Sequence, residues 1–461
     1  MWLCPKGIEV IDVSATAVAN PLDEFFLHMD TPAEPWGIQL ELAVTGSLDG
    51  ERLAAALRAA LRRHPMARVR LAPRRDWAVR YRWQIAAELP EPPLIAVTCR
   101  ESADLDRVRA ELFRRSPDLG SFGPFELVLA HVPGGDRLLL NLHHAAGDAA
   151  SGVRLLRSVL EAYAGTAGAA SADSPESRDV RALLAARSLT ESLRRAGELA
   201  RIGRAGLTAP VPIAPAAPAG GSGYGFRLFR LADDLRFGRA AGVTVNDILL
   251  GALAVTVRRW NDGRGAAPGR VSLTMPVNGR PEGRRYDVVG NFSIGTSVSI
   301  PAADTVEPAR AIAVAAARTG QIKRHRTNGL MVTLLAGLSL LPIGLKRRLF
   351  RTAPLAAARV LDTAILTNLG VLPALPAPGG AAGTVAGLWF SSPLRLPTGI
   401  SLGVVTLGAE MFACLCYQRA RFDAAGAAEF SELFQRTLRE CGGPDSRGSA
   451  RIPAPREMRR A

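Results

Sequence analysis

Acidic side chains are scarce in this chain: 42 Asp and Glu stand against 57 Lys and Arg, a formal net charge of +15. That balance favours anionic partners such as nucleotide phosphates, acidic proteins or anionic lipid surfaces. Nucleic acid is not the partner expected, because zinc-finger spacing and RNP-like aromatic clusters are both missing and the arginines are scattered. An Ala-, Gly- and Arg-rich composition is also what a GC-rich genome produces, so the charge has a second origin with no functional meaning. Cysteine is rare and odd in number, five in all, which excludes a disulfide framework. Cys414 and Cys416 lie two apart in a predicted strand and read as core residues; no second pair accompanies them, so no metal site is expected. No long apolar run exists. The most apolar stretch, Gly329 to Leu345, is short for a membrane span and is interrupted by Thr333, Ser339 and Pro342. It reads as a core helix, with an interfacial helix flanked by Lys346, Arg347 and Arg348 as the alternative. The N-terminus lacks a charged head followed by an apolar core, so a cytoplasmic protein is expected. Gly-x-Ser-x-Gly elbows, phosphate-binding loops, dinucleotide fingerprints and internal repeats are absent too.

What is present is ordinary for a folded protein, 48% hydrophobic and 21% charged residues. Residues 36 to 44 alternate, with Ile38, Leu40, Leu42 and Val44 on one face and Gln39 and Glu41 on the other, which predicts a half-buried strand. Leu53, Leu57 and Leu61 mark a helix, and Leu105, Val108 and Leu112 a second. Residues 125–132 and 137–142 read as strands joined by the turn Pro133-Gly134-Gly135-Asp136. Residues 181–207 form a basic helical stretch, and 209–225, dense in Pro, Ala and Gly, cannot form a regular element. Further strands are predicted at 226–231, 271–275, 296–300, 401–407 and 411–417, with helices at 243–260 and around Phe430 to Leu438. These patterns divide the chain into an N-terminal lobe (1–207), a connection (208–225), a C-terminal lobe (226–441) and a disordered basic tail (442–461).

Histidine is rare, with six in the chain, yet two are adjacent in Asn141-Leu142-His143-His144-Ala145-Ala146-Gly147-Asp148-Ala149. They follow the apolar run Leu138-Leu139-Leu140 and precede an amphipathic stretch, Val153 to Tyr163. The pattern predicts a strand, a loop carrying histidine chemistry, then a helix. Neighbouring strand residues point to opposite faces, so one imidazole can face a cleft while the other packs inward.

His143, His144 and Asp148 resemble the HHxxxDG motif of the chloramphenicol-acetyltransferase-like acyltransferases. That superfamily includes condensation domains, wax ester synthase/diacylglycerol acyltransferases and polyketide-associated acyltransferases. Ala149 stands where the family has Gly, which would tolerate a positive φ that Ala disfavours. Other segments are similar to the family's in order: Pro21-Leu22-Asp23, His64-Pro65, Asn246-Asp247, Pro276-Val277 with Arg280, Gly290-Asn291, and Asn368-Leu369-Gly370. Several lean toward the wax synthase branch. However, Gly123-Pro124-Phe125 replaces that branch's Pro-Leu-Trp, and the Asp-Phe-Gly-Trp-Gly of plant acyltransferases is missing. The resemblance implies an α/β fold of two similar lobes. Each would have a mixed sheet with flanking helices, and an active-site tunnel would lie between them.

It also implies a chemistry. An acyl group would pass from a thioester, on coenzyme A or the phosphopantetheine of a carrier protein, to a hydroxyl acceptor, with no further cofactor. His144 would be the general base, since the second histidine holds that role in the family and an imidazole of pKa near ~6.5 suits it. His143 would be its buried structural neighbour. Asp148 could orient the base in the manner of a catalytic triad; the resemblance has it pair instead with Arg280 and fix the loop. Asn246, Asn291 and Asn368 are candidate oxyanion or substrate contacts, alongside plainer roles at a helix cap and in turns. His64 and His325 stay unassigned. The competing readings are a free-standing condensation enzyme that forms an amide or ester from carrier-bound substrates, and a non-catalytic relative that binds an acyl chain or carrier protein. Peripheral contact with a membrane or lipid droplet is compatible with any of them.

Overall fold

The computed structural model describes residues 12–89, 91–166, 178–205, 208–216, 221, 223–231, 242–280, 286, 288–327, 329–357, 362–394 and 398–442. The first half runs β1 (Val13–Val18), α1 (Pro21–Met29), β2 (Gly37–Val44), α2 (Gly50–Arg63), β3 (Val69–Leu71), β4 (Arg82–Ala86), β5 (Leu94–Thr98), α3 (Ser102–Leu112), β6 (Phe125–His131), β7 (Arg137–His143) and α4 (Ala149–Tyr163). The predicted basic helical stretch is two helices, α5 (Val180–Leu184) and α6 (Leu189–Ala205). The second half runs β8 (Tyr224–Arg230), α7 (Val245–Asp262), β9 (Val271–Asn278), β10 (Ser293–Ile300), α8 (Pro308–His325), α9 (Gly329–Leu338), α10 (Ile343–Ala357), β11 (Ala364–Val371), β12 (Val385–Ser391), β13 (Ile400–Leu407), β14 (Glu410–Gln418) and α11 (Ala424–Gly442).

Two mixed sheets organise these elements. The six-stranded sheet has the order β10-β9-β11-β13-β14-β8, with β11 parallel to both β9 and β13. It buries Leu273, Leu366, Leu402 and Leu415 against α7, α8 and α11. The five-stranded sheet has the order β12-β2-β7-β6-β5, with β5 parallel to β6. Its edge strand β12 comes from the second half of the chain and pairs antiparallel with β2, Trp389 opposite Glu41. A third, three-stranded sheet, β1-β4-β3, lies outside the two-sheet expectation.

Helices α2 and α4 cover one face of the five-stranded sheet through Leu53, Leu57, Leu61, Val153 and Leu156. Helix α4 lies so close that a Cβ on Gly152 would stand 2.5 Å from Leu40 Cδ1. The other face is also covered, so β2 is buried along its whole length, where the alternation predicted half-burial. Glu41 is admitted there because Arg109 of α3 donates to both its oxygens, at 2.6 and 2.7 Å. Such a bidentate pair offsets much of the cost of burying a carboxylate.

The segment 208–216 forms no regular element but is tied to the second half: Val211 N–H donates to the Arg270 carbonyl, and Ala214 N–H to Asn261 Oδ1. Most of the remaining predicted connection and the tail beyond Gly442 lie outside the described residues. The apolar stretch 329–345 is not the single core helix expected. Pro342 separates α9 from α10, and both carry exposed apolar side chains among the described residues.

Candidate functional site

Strand β7 ends at His143, and both histidines have their backbones fixed. His143 N–H donates to the Pro124 carbonyl at 2.8 Å, and His144 N–H to the Trp36 carbonyl at 2.9 Å. The two rings have different surroundings. His143 is buried, and its Nδ1 accepts from Ala145 N–H at 3.1 Å. The proton therefore sits on Nε2, which faces Asp30 Oδ2 at 3.6 Å. Burial alone would raise the Asp30 carboxyl. His143, the Ser116 hydroxyl and Trp36 N–H outweigh it and hold the group below the usual carboxylate range. Asp30 is thus the carboxylate that faces His143.

The His144 ring stacks on Phe26 of α1, with centroids 3.6 Å apart and planes 14° from parallel, and Trp36 leans over it at 6.1 Å. Only 7% of the residue is exposed, and its Nδ1 is buried with no hydrogen-bond partner. Burial lowers its pKa to about 4, with Asp148 pulling the other way and failing to offset it. The expectation of an ordinary imidazole therefore changes. This ring is a free base throughout the neutral range, because apolar walls penalise its charged form.

Asp148 is the N-cap of α4. Its side chain accepts from Ser151 N–H at 3.0 Å and from the Ser151 hydroxyl at 2.9 Å. Arg280, from beyond β9, meets it with two bonds, Nη1 to Oδ2 at 2.7 Å and Nη2 to Oδ1 at 2.8 Å. Both side chains are at least 95% buried. Phe292 N–H adds a bond at 3.1 Å. Burial would raise Asp148, but the guanidinium and the Ser151 donors hold it below its ordinary value. Arg280 also donates to the carbonyls of Val288 and Gly290, each at 3.0 Å. The carboxylate is therefore taken up by Arg280, Ser151 and Phe292 and joins the histidine loop to the second half of the chain. Ala149 is the first helical residue after the cap, so no positive φ is needed and the departure from Gly costs nothing.

Of the three asparagines, only Asn291 reaches the loop. It is fully buried and its amide donates to the His144 carbonyl. Asn246 lies in the first turn of α7, with its amide toward Met275 Sδ at 2.9 Å. Asn368 accepts from Gly370 N–H at 2.8 Å within its own strand end. His64 is fully buried and bonds Ser158 Oγ at 2.9 Å, a structural position.

The sequence reading missed several members of this site. Phe26 and Trp36 wall in His144, Asp30 faces His143, and Ser151 bridges Asp148, Arg280 and Gly290. Only Ser151 had a local signal, standing three residues after the cap in a capping box. Helix α1 is itself pinned by buried ion pairs. Asp23 takes Arg178 and the Trp83 indole N–H, and Glu24 takes Lys346 at 2.6 Å. Lys346 is thereby removed from the basic surface in which it was expected. Arg347 pairs with Asp76, and Arg326 with Glu191, while Lys323 and Arg324 are exposed. Arg284 and Arg285 lie outside the described residues. Among the described residues no group of His, Cys, Asp or Glu is placed to hold a metal, and no helix is long and apolar enough to cross a membrane.

No family model matches the chain. It aligns at 33% identity over 440 residues, 92% of this chain and all of theirs, with the uncharacterized proteins MT2362 and Rv2305 of Mycobacterium tuberculosis. Among solved structures it resembles the first condensation domain of the calcium-dependent antibiotic synthetase, with a TM-score of 0.66, 18% identity, and 93% and 97% of the two chains covered. SgcC5 of Streptomyces globisporus gives 0.63 at 17%, covering 92% and 98%. The starter condensation domain of rhizomide synthetase, crystallised as a mutant with C8-CoA and Leu-SNAC, gives 0.62 at 16%, covering 92% and 94%. The fold is therefore the two-lobed, chloramphenicol-acetyltransferase-like α/β fold of condensation domains.

Proposed function

This chain belongs to one family with the two mycobacterial proteins, and we propose that it is an acyltransferase, with His144 as the general base that activates a hydroxyl acceptor against an acyl thioester. The observation that carries this reading is an uncharged, nearly buried imidazole at a strand end, in a loop locked by Asp148 and Arg280. A low pKa keeps the ring in the unprotonated form that can take a proton at neutral pH, at the expense of some basicity. Apolar walls exclude water, which would otherwise hydrolyse the thioester.

In this reading the acceptor hydroxyl gives its proton to His144 as its oxygen attacks the thioester carbonyl. The tetrahedral intermediate expels the thiolate, and the imidazolium returns the proton to that sulfur. An ester and a free thiol result, and no acyl-enzyme is needed. His143, Asp30, Asp148, Arg280 and Asn291 position the base and do not react. Coenzyme A or a carrier's phosphopantetheine enters as co-substrate, and the net positive charge supports an anionic donor.

A second reading, an amine acceptor and an amide product, is favoured by the likeness to condensation domains, one of them crystallised with an acyl and an aminoacyl thioester. The test is thiol release from wild type and His144→Ala over paired panels of donors with alcohol and amine acceptors. Acceptor-dependent release lost on substitution supports the proposal, and the better acceptor class decides ester or amide. Thioester binding without release from any pair would instead point to a non-catalytic carrier.

A further inference from the structure

Helix α9, Gly-Leu-Met-Val-Thr-Leu-Leu-Ala-Gly-Leu, has no charged residue on any side. Val332 and Leu335 enter the core beside Val288 and Phe292, while Met331, Leu334 and Leu338 share the outer face and are exposed. An α-helix apolar all round belongs in a core or in lipid; this one is at the surface with its outer stripe bare. At ten residues, about 15 Å long, it cannot cross a bilayer.

More apolar side chains are exposed in the segment that follows. Leu340 in the following turn is 63% exposed, and Leu345 and Leu349 on α10 are exposed. The turn bearing Trp77, 71% exposed, is tied to the start of α10 by Ile343 N–H to the Ala78 carbonyl and Gly344 N–H to the Asp76 carbonyl, both 2.8 Å. The charge carried by α9 and α10 has one sign, and the exposed carboxylate beside Trp77, Asp76, is paired with Arg347. No Asp or Glu occurs between Glu307 and Asp362. Lys323 and Arg324 lead into α9, and Arg348 and Arg351 are exposed on α10.

We propose that this face docks on an anionic lipid leaflet and that the acceptor is a lipophilic alcohol drawn from that leaflet. An apolar centre with a basic rim matches acyl chains beneath a layer of phosphates. The second clause rests on the acyltransferase reading and on one more observation. A run of ring contacts joins α10, which carries part of that exposed apolar surface, to His144. Phe350 of α10 meets Phe25 at 6.1 Å, Phe25 meets Phe26 at 5.2 Å, and Phe26 stacks on His144.

The test is cosedimentation with vesicles of phosphatidylcholine alone or mixed with phosphatidylglycerol, which needs no substrate. The wild type should bind the mixed vesicles, and less so as salt rises. Each basic residue at such a surface is worth about fivefold in partitioning, so Arg348→Glu with Arg351→Glu should lower it more than about 25-fold. Leu338→Glu with Leu340→Glu should abolish binding while the thermal melt stays cooperative, and Trp77→Ala gives an independent, partial loss. Failure to bind mixed vesicles overturns docking, as does binding indifferent to the leucine pair. A dimer seen by light scattering and split by Leu338→Glu with Leu340→Glu would show that a second copy covers the face, and would overturn it too. Mixed vesicles should also speed transfer to a long-chain alcohol and leave a short soluble alcohol unaffected. If transfer fails with every acceptor while vesicle binding holds, the acyltransferase reading falls and the docking stands.

Discussion

Asp148→Asn is the most informative single change to this site. Asn is as good an N-cap as Asp, so the bond to Ser151 N–H survives and α4 keeps its start. What disappears is the negative charge opposite Arg280, whose side chain is 1% exposed. Removing one partner of a buried pair leaves an uncompensated ion and costs about 3–5 kcal/mol. Arg280→Met should cost a similar amount. It strands Asp148 with only the Ser151 and Phe292 donors and strips the Val288 and Gly290 carbonyls of theirs. The double variant buries no charge at this point. Its cost should be about 4–6 kcal/mol, against about 6–10 kcal/mol for the sum of the singles. Urea unfolding of all four proteins measures the cycle, and thiol release measures whether the loosened loop also lowers the rate. Additivity within about 0.5 kcal/mol would refute the coupling and, with it, the claim that this pair joins the histidine loop to the second half.

His144→Ala should lower turnover by about 10²–10⁴-fold with the fold retained, as measured at saturating acceptor. With its pKa at about 4, kcat/KM should stay level from neutral pH to about pH 5; a break near 6.5 would mean that the ring is not walled off. The same shift makes the fold acid-sensitive. The unfolded ring, with pKa near 6.5, takes up a proton that the native ring refuses, so stability falls as pH drops from 6.5 toward 4. His144 accounts for about 2 kcal/mol between pH 7 and 5. His28, also lowered to about 4 by burial and by Lys346, Arg347 and Arg74, adds a smaller loss because it is more exposed. Urea midpoints at pH 7, 6 and 5 should show this slope, and it should flatten in His144→Leu. Lys346→Met should cost about 3–5 kcal/mol by leaving Glu24 buried alone, and Glu24→Gln with Lys346→Met should recover most of it.

Local pattern carried the elements well. The turn after β6, the β13–β14 hairpin at Gly408, with φ of 61°, and the strand ending at the histidines all have short-range signals. The likeness to the HHxxxDG motif named Asp148 and Arg280, which the structure brings into contact from 132 positions apart. Properties that depend on what arrives from elsewhere were not legible. The alternation in β2 shows which side chains share a face, but not that Arg109 will close over Glu41. Nothing near His144 announces Phe26, so neither the stacking nor the lowered pKa could be read. The apolar stretch from Gly329 reads as buried because periodicity reports hydrophobicity and not what covers it; the outer side of α9 is left bare.

The crossing of β12 into the five-stranded sheet has a consequence for how the chain comes to be folded. Strand β2 is complete early in synthesis, but its outer partner is encoded more than 300 positions later. Until then Gly37–Val44 offers an unpaired apolar edge, open to pairing with other nascent chains. Loop-closure entropy must also be spent before that last pairing rewards it, which slows the final step. The first half is therefore not an independent folding unit. A ribosome stalled before Val385, or a chain cut there, should yield an aggregation-prone or chaperone-bound product.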